Sequence, residues 1–232
     1  MSVYRIEIWY NNGSENGMNM EYSQMRKVGV LIFLFVFSSI AHAWMEGWAP
    51  ELKSTPAKIS MLSSQNIKWF VEDVKSDSEF VAEYSKGVGV DLNNDGFKDF
   101  VFIIPWMGNG LNASGYNAHF IVSDGKGGRV ENIIEGFGIE ISDIVNINDK
   151  IYFRHSAFFE SFEKSQHNHW VFQIYSFDTN GIMRCANADI GKSFPAATIF
   201  YSNPKFKAIE LTDADRRKIA QETKPKSQVF KP

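Results

Sequence analysis

Ile67, Phe70, Val71 and Val74 repeat at three- and four-residue spacing behind Ser64, a residue suited to cap a helix. The pattern predicts an amphipathic helix there, extended or followed by a second stretch from Ser78 to Tyr84. Beyond Tyr84 the pattern turns to β. Gly87 to Val90 leads into an acidic loop, and Phe100 to Ile104 reads as a strand ended by Pro105. Residues 105 to 116, PWMGNGLNASGY, read as a long Gly/Asn-rich loop. Three hairpins follow. Ala118 to Val122 and Arg129 to Ile134 flank residues 124 to 128; Ile139 to Ile147 and Lys150 to Arg154 flank Asn148-Asp149; Trp170 to Phe177 and Ile182 to Ala186 flank residues 178 to 181. Consecutive hairpins predict an antiparallel meander folded into a sandwich or partly closed barrel. Thr212 caps a short C-terminal helix over 213 to 223, and the tail from about residue 224 is expected to be disordered. The expected class is therefore mainly β (α+β), with one helix before the sheet and one after it.

Residues 25 to 43, MRKVGVLIFLFVFSSIAHA, interrupt this reading. Arg26 and Lys27 precede ten apolar residues, Val28 to Phe37, and Ala41-His42-Ala43 has the small-x-small form of a signal-peptidase site. A bilayer needs about 20 apolar residues, so export with cleavage after Ala43 is expected rather than anchoring. The polar residues 1 to 24 are not a targeting sequence and suggest a true start at Met25 or Met20. Residues 44 to 232 then form one exported, periplasmic domain, with 44 to 62 wrapping its surface.

Composition narrows the function classes. The chain of 232 residues is 44% hydrophobic, 22% charged and 15% aromatic, which suits a packed, β-leaning core. A net charge of −3 argues against nucleic-acid binding, which needs a basic surface. Cys185 is the lone cysteine; it cannot form an internal disulfide and reads as a small buried residue.

One motif carries chemistry. Asp91, Asn93, Asp95 and Asp99 place side-chain oxygens at positions 1, 3, 5 and 9 of a loop with Gly96 at position 6. That spacing suits calcium, which takes six to eight hard oxygen ligands at about 2.3–2.6 Å. The Phe97 carbonyl at position 7 supplies a backbone oxygen, and the glycine permits the sharp turn. Phe102 stands where an EF-hand has its bidentate glutamate, and a strand follows instead of a helix. The loop resembles the D-x-N-x-D-G-x-x-D calcium loops of FG-GAP and VCBS-type repeats in secreted bacterial proteins. The resemblance spans residues 91 to 99 alone, in one copy, and implies calcium ligation by Asp91, Asn93, Asp95, Asp99 and the Phe97 carbonyl; no β-propeller is implied. The competing reading is an acidic Asx-Gly turn between strands.

Weaker constellations remain. His167 and His169 stand two apart, as metal ligands on one strand face do, with no third ligand spaced nearby. Ser114 lacks the glycine of a nucleophile elbow, since Asn112 stands in its place. His119 and His155 serve as bases only if folding sets them beside a nucleophile, and Glu160 and Glu163 read as paired acids or as a solvated face. Trp106, Met107 and Tyr116 in the 105 to 116 loop, and Phe159 in a Phe-rich stretch at helical spacing, are candidate partner contacts, although the second stretch equally suits the core. Two functions compete. One is a calcium-stabilised, non-enzymatic binding protein for another protein, of which an immunity-type inhibitor of a periplasm-acting toxin is one version. The other is a secreted hydrolase whose site is assembled from distant residues.

Overall fold

A computed structural model describes residues 54–107, 114–136, 138–191, 194–199 and 208–232. The predicted signal peptide, the extension before it, and residues 44 to 53 lie outside the described residues. Short edge strands come first, β1 (Thr55–Pro56) and β2 (Ser60–Met61). Helix α1 (Ser64–Lys68) then runs directly into a π-helical segment (Trp69–Val74). Its cap is Ser63, one residue before the expected Ser64: the Ser63 side chain accepts the Asn66 N–H. Ser78 caps α2 (Glu79–Tyr84) in the same way.

Two antiparallel sheets follow. β3 (Lys86–Val90), β4 (Asp99–Met107), β5 (Ser114–Ser123), β6 (Arg129–Gly136) and the C-terminal β13 (Lys226–Val229) join β2 in a six-stranded sheet, ordered β13-β6-β5-β4-β3-β2. A seven-stranded sheet holds β1, β7 (Ile144–Ile147), β8 (Lys150–Phe159), β9 (His169–Phe177), β10 (Met183–Cys185), β11 (Ala196–Ile199) and β12 (Ala208–Ile209). A 3-10 turn (Ile141–Asp143), which takes the place of the first part of the strand expected over Ile139 to Ile147, a short α3 (Asn187–Ile190) and α4 (Asp213–Glu222) complete the elements. The β-rich α+β expectation holds, as two open sheets and not a closed barrel. Among the described residues no helix is long and apolar enough to cross a membrane.

Strand alternation sorts the core. Val101 and Ile103 of β4, with Ala118, Phe120 and Val122 of β5, meet Ile151 and Phe153 of β8 and Tyr175 and Phe177 of β9 between the sheets. Phe120 is the hub, edge-on to Phe153 at 4.9 Å between ring centroids. The alternate residues, Phe102, Ile104 and Ile121, form a second cluster with Phe70 and Val71 of the π-helical segment on the outer face. α4 covers the other end of the seven-stranded sheet, with Leu211 and Ile219 against Phe159, Phe162 and Val171.

Four further expectations change. β4 continues through Pro105 to Met107, because β3 reaches only Ile103 and a proline is tolerated where a strand has one neighbour. The segment 158 to 163 is the end of β8 followed by a Phe162–Ser165 bridge, not a helical stripe. The tail is ordered: Lys226 to Val229 pair with Ile133 to Val130. Cys185 is exposed on β10, not buried.

Candidate functional site

The acidic loop is closed by its own backbone amides. Asp91 accepts the N–H groups of Asp95 (3.1 Å) and Gly96 (3.0 Å), and Asn93 Oδ1 accepts Asp95 N–H. Asp95 accepts Phe97 N–H at 2.8 Å and an amide N–H of Asn93 at 3.1 Å. Gly96 stands at φ +85°, the left-handed conformation its position needs. Asp99 does a different job. It is fully buried, and its two oxygens accept Leu92 N–H and Ser123 N–H, both at 2.8 Å. It staples the loop to β5.

The electrostatics differ accordingly. Burial pushes the Asp99 carboxyl up to about 6, against the pull of the Ser123 and Leu92 amides and with the help of the Asp95 charge. At Asp95 partial burial works upward but is outweighed by hydrogen bonds from Phe97, Ser123 and Asn93 and by Arg129, so its carboxyl lies below the usual range. Among the described residues no three His, Cys, Asp or Glu side chains converge closely enough to hold a metal ion. Asp91 and Asp95 are turned to the loop's amides. A carboxylate oxygen that accepts one N–H keeps a second lone pair, so the donors still suit a hard cation such as calcium.

Three further turns gather around the loop. Asn93 Nδ2 donates to the Ser123 carbonyl and Asn94 Nδ2 to the Asp149 carbonyl, both at 3.1 Å. Arg129 reaches the Lys98 carbonyl, and Asn132, on the inner face of β6, donates to the Gly181 carbonyl at 2.8 Å. Asp124 and Asp178 each accept two N–H groups of their own turns. One end of the sandwich is thus a set of polar turns, each closed by an Asp or Asn and tied to its neighbours. Phe97, 61% exposed, and Ile182 stand out of this end.

The other candidates scatter. Trp106 is half-buried and lies over Gly115, where an added Cβ would come within 2.7 Å of the indole. Tyr116 packs against the central core. The side chain of Met107 and residues 108 to 113 lie outside the described residues, as does the Ser114 side chain. Phe159 is 3% exposed and belongs to the core; Phe158 is its outward neighbour. His169 is buried while His167 is exposed, so the pair does not face one ion. His119 Nδ1 bonds to Glu131 at 2.8 Å, and His155 Nε2 lies 3.0 Å from the Glu135 carbonyl; neither contact leads to a nucleophile. Glu160 and Glu163 are exposed. Sequence reasoning missed the Ser165–His169 contact (3.1 Å) and the buried Glu131, which binds Lys75, His119 and Gln228.

No family model, curated protein or solved structure matches this chain.

Proposed function

We propose that this chain is an exported, calcium-stabilised binding protein that presents the turn end of its sandwich to a protein partner. The carrying observation is the cross-tied set of turns with Phe97 exposed among them. Loops already held in one arrangement lose little entropy on binding, and an exposed aromatic amid polar groups suits the centre of an interface. An immunity-type inhibitor that plugs a toxin acting in the periplasm is one version of this reading. Export rests on residues 25 to 43. Asp91, Asn93, Asp95, Asp99 and the Phe97 carbonyl are the proposed ligands, and a bound calcium ion offsets the mutual repulsion of the carboxylates.

The test has two arms. Thermal melting of the mature domain in EDTA and in millimolar calcium should show a rise of several degrees, since free calcium at 100 times its dissociation constant adds about 2.7 kcal/mol. Asp95→Ala should abolish the rise; coincident wild-type curves overturn the calcium assignment. For the partner arm, the product of any adjacent toxin gene is titrated against the domain. Phe97→Ala should weaken binding by more than about 1 kcal/mol with the melting temperature unchanged. Equal binding by the variant removes the turn end from the interface.

The secreted-hydrolase reading has one contact in its favour, Ser165 Oγ beside His169 Nε2. Against it, His169 is fully buried, and both oxygens of nearby Asp215 are bonded to Thr212 and Glu163 instead of orienting the ring. Ser165→Ala should leave any esterase activity of the pure protein unchanged if the binding reading holds.

A further inference from the structure

The π-helical segment covers only part of the outer face of the six-stranded sheet. Its Phe70 stacks on Phe102 of β4, with 3.8 Å between ring centroids. Between this segment and the C-terminal residues a cleft of about 560 Å³ stays open. Small-molecule sites run from about 300 to 1,000 Å³. The open walls are aromatic: Trp69 is 44% exposed, and Phe100 and Phe230 are half-buried. Gly127 and Gly128 of the β5–β6 turn border the cleft without side chains. The π-helical wall is itself unusual. Lys75 N–H bonds the Phe70 carbonyl, five residues back, at 3.0 Å, and no glycine or proline in WFVEDV forces the wider turn. Such segments are rare and recur at functional sites.

Arg129 is the one charged side chain in the lining. Its guanidinium lies over the Phe100 ring, 5.0 Å from the centroid. Nη2 donates to the Lys98 carbonyl at 3.0 Å and Nη1 to the Ile121 carbonyl at 3.5 Å. A guanidinium carries more N–H donors than these two carbonyls use, and 33% of this side chain is exposed. Asp99 lies 3.8 Å from Nη1, but it is fully buried and its oxygens hold the Leu92 and Ser123 amides. It steadies the guanidinium from beneath and leaves the exposed edge open.

We propose that this cleft binds a small aromatic carboxylate, with its rings against Trp69, Phe100 and Phe230 and its carboxylate on the open edge of Arg129. The planar fork of a guanidinium matches a carboxylate, and stacking on Phe100 holds that fork in place. A cation would be repelled by Arg129, and a neutral ring system would use the aromatic walls without the charge-assisted bond. The site is separate from the acidic loop, whose carboxylates are absent from the lining.

The experiment titrates the protein with naphthoate and with its neutral isostere naphthamide, by calorimetry in EDTA so that no calcium bridges the ligand to the acidic loop. Naphthoate should bind saturably and about tenfold more tightly than naphthamide. Arg129→Gln should shrink that preference to less than about twofold while naphthamide still binds. Trp69→Ala, a change at an exposed position, should weaken both ligands by about fivefold. If Arg129→Gln fails to fold, the Arg129 Nε–H resonance of the wild type decides: it should move further with naphthoate than with naphthamide. No saturable binding, equal affinity for the two ligands, a preference that survives Arg129→Gln, unchanged binding by Trp69→Ala, or an Nε–H resonance that responds alike to both overturns the proposal.

Discussion

Glu131→Gln tests whether the buried carboxylate on the outer face of the six-stranded sheet contributes through its charge. Glu131 is 1% exposed, and Lys75, His119 and Gln228 all bond to it. Lys75 comes from the π-helical cover, His119 from β5 and Gln228 from β13, so one group ties three elements. Burial alone would raise its pKa. The bonds from His119, Lys75 and Gln228 and the Lys75 charge prevail and bring it from an ordinary 4.5 down to about 2. At about 1.36 kcal/mol per unit this amounts to roughly 3 kcal/mol of stability. Because the folded value is depressed, that stability is complete above pH 4.5 and is lost as pH falls towards 2. At pH 7 the variant should therefore be about 2–3 kcal/mol less stable by urea unfolding, and should melt about 5–10 °C lower. The gap between wild type and variant should have closed by about half at pH 3, where the unfolded carboxyl is protonated and the folded one is not. A gap of equal size at pH 7 and pH 3 would refute the reasoning, since it would place the cost in packing. Combining Lys75→Met with Glu131→Gln should cost less than the two changes summed, because neither charge is then left buried alone.

Gly181→Ala should cost about 2–3 kcal/mol by the same unfolding assay, because Gly181 has φ +75° and an added Cβ would lie 2.7 Å from the Ser123 carbonyl. Gly127→Ala, at φ +94° but with open space around it, should cost only about 1 kcal/mol; equal losses would show that contact with Ser123 does not matter. His155 binds its proton more readily unfolded than folded, so stability should fall by up to about 3 kcal/mol as pH drops from 6.5 to about 4, and that slope should be absent in His155→Phe. Ending the chain at Pro225 removes the bonds of Gln228 and Ser227 to β6 and the packing of Phe230 near Phe70, and should lower the melting temperature by several degrees; an unchanged melt would make β13 a bystander.

The parts of this fold that were legible in the sequence are those with local causes. Each hairpin turn is written in an Asx or glycine that closes it, as Asp124 and Asp178 show, and Thr212 caps α4 through Asp215 three residues on. β13 was not legible because Lys226 to Val229 are all exposed, so no alternation marks them as a strand. Pro105 looked like a strand end because the reach of β3, which decides whether a missing N–H matters, is a property of the sheet. The Glu131 network was invisible for a similar reason. Its partners lie 56, 12 and 97 positions away, and within RVENII the glutamate reads only as a polar outward position.

The acidic loop shows how one spacing can encode two physical tasks. Asp91, Asn93 and Asp95 bond amides within five residues of themselves, so their register at positions 1, 3 and 5 is sufficient to shape the loop. Asp99 completes the same motif on paper, yet it holds Leu92 at one oxygen and Ser123, 24 residues away, at the other. Its burial leaves it to those two amides and to the Arg129 guanidinium, 3.8 Å from one oxygen, whereas the half-buried Asp91 and Asp95 retain contact with water. The loop therefore has a shape that its own amides sustain, with Asp99 as the anchor to the sheet. A cation bound at this place would add charge compensation to a turn already formed, so the shape of these nine residues does not by itself choose between the calcium reading and the turn reading of the sequence. What separates them is the response of the whole fold to the ion, because only a ligand held by the native state shifts the unfolding equilibrium.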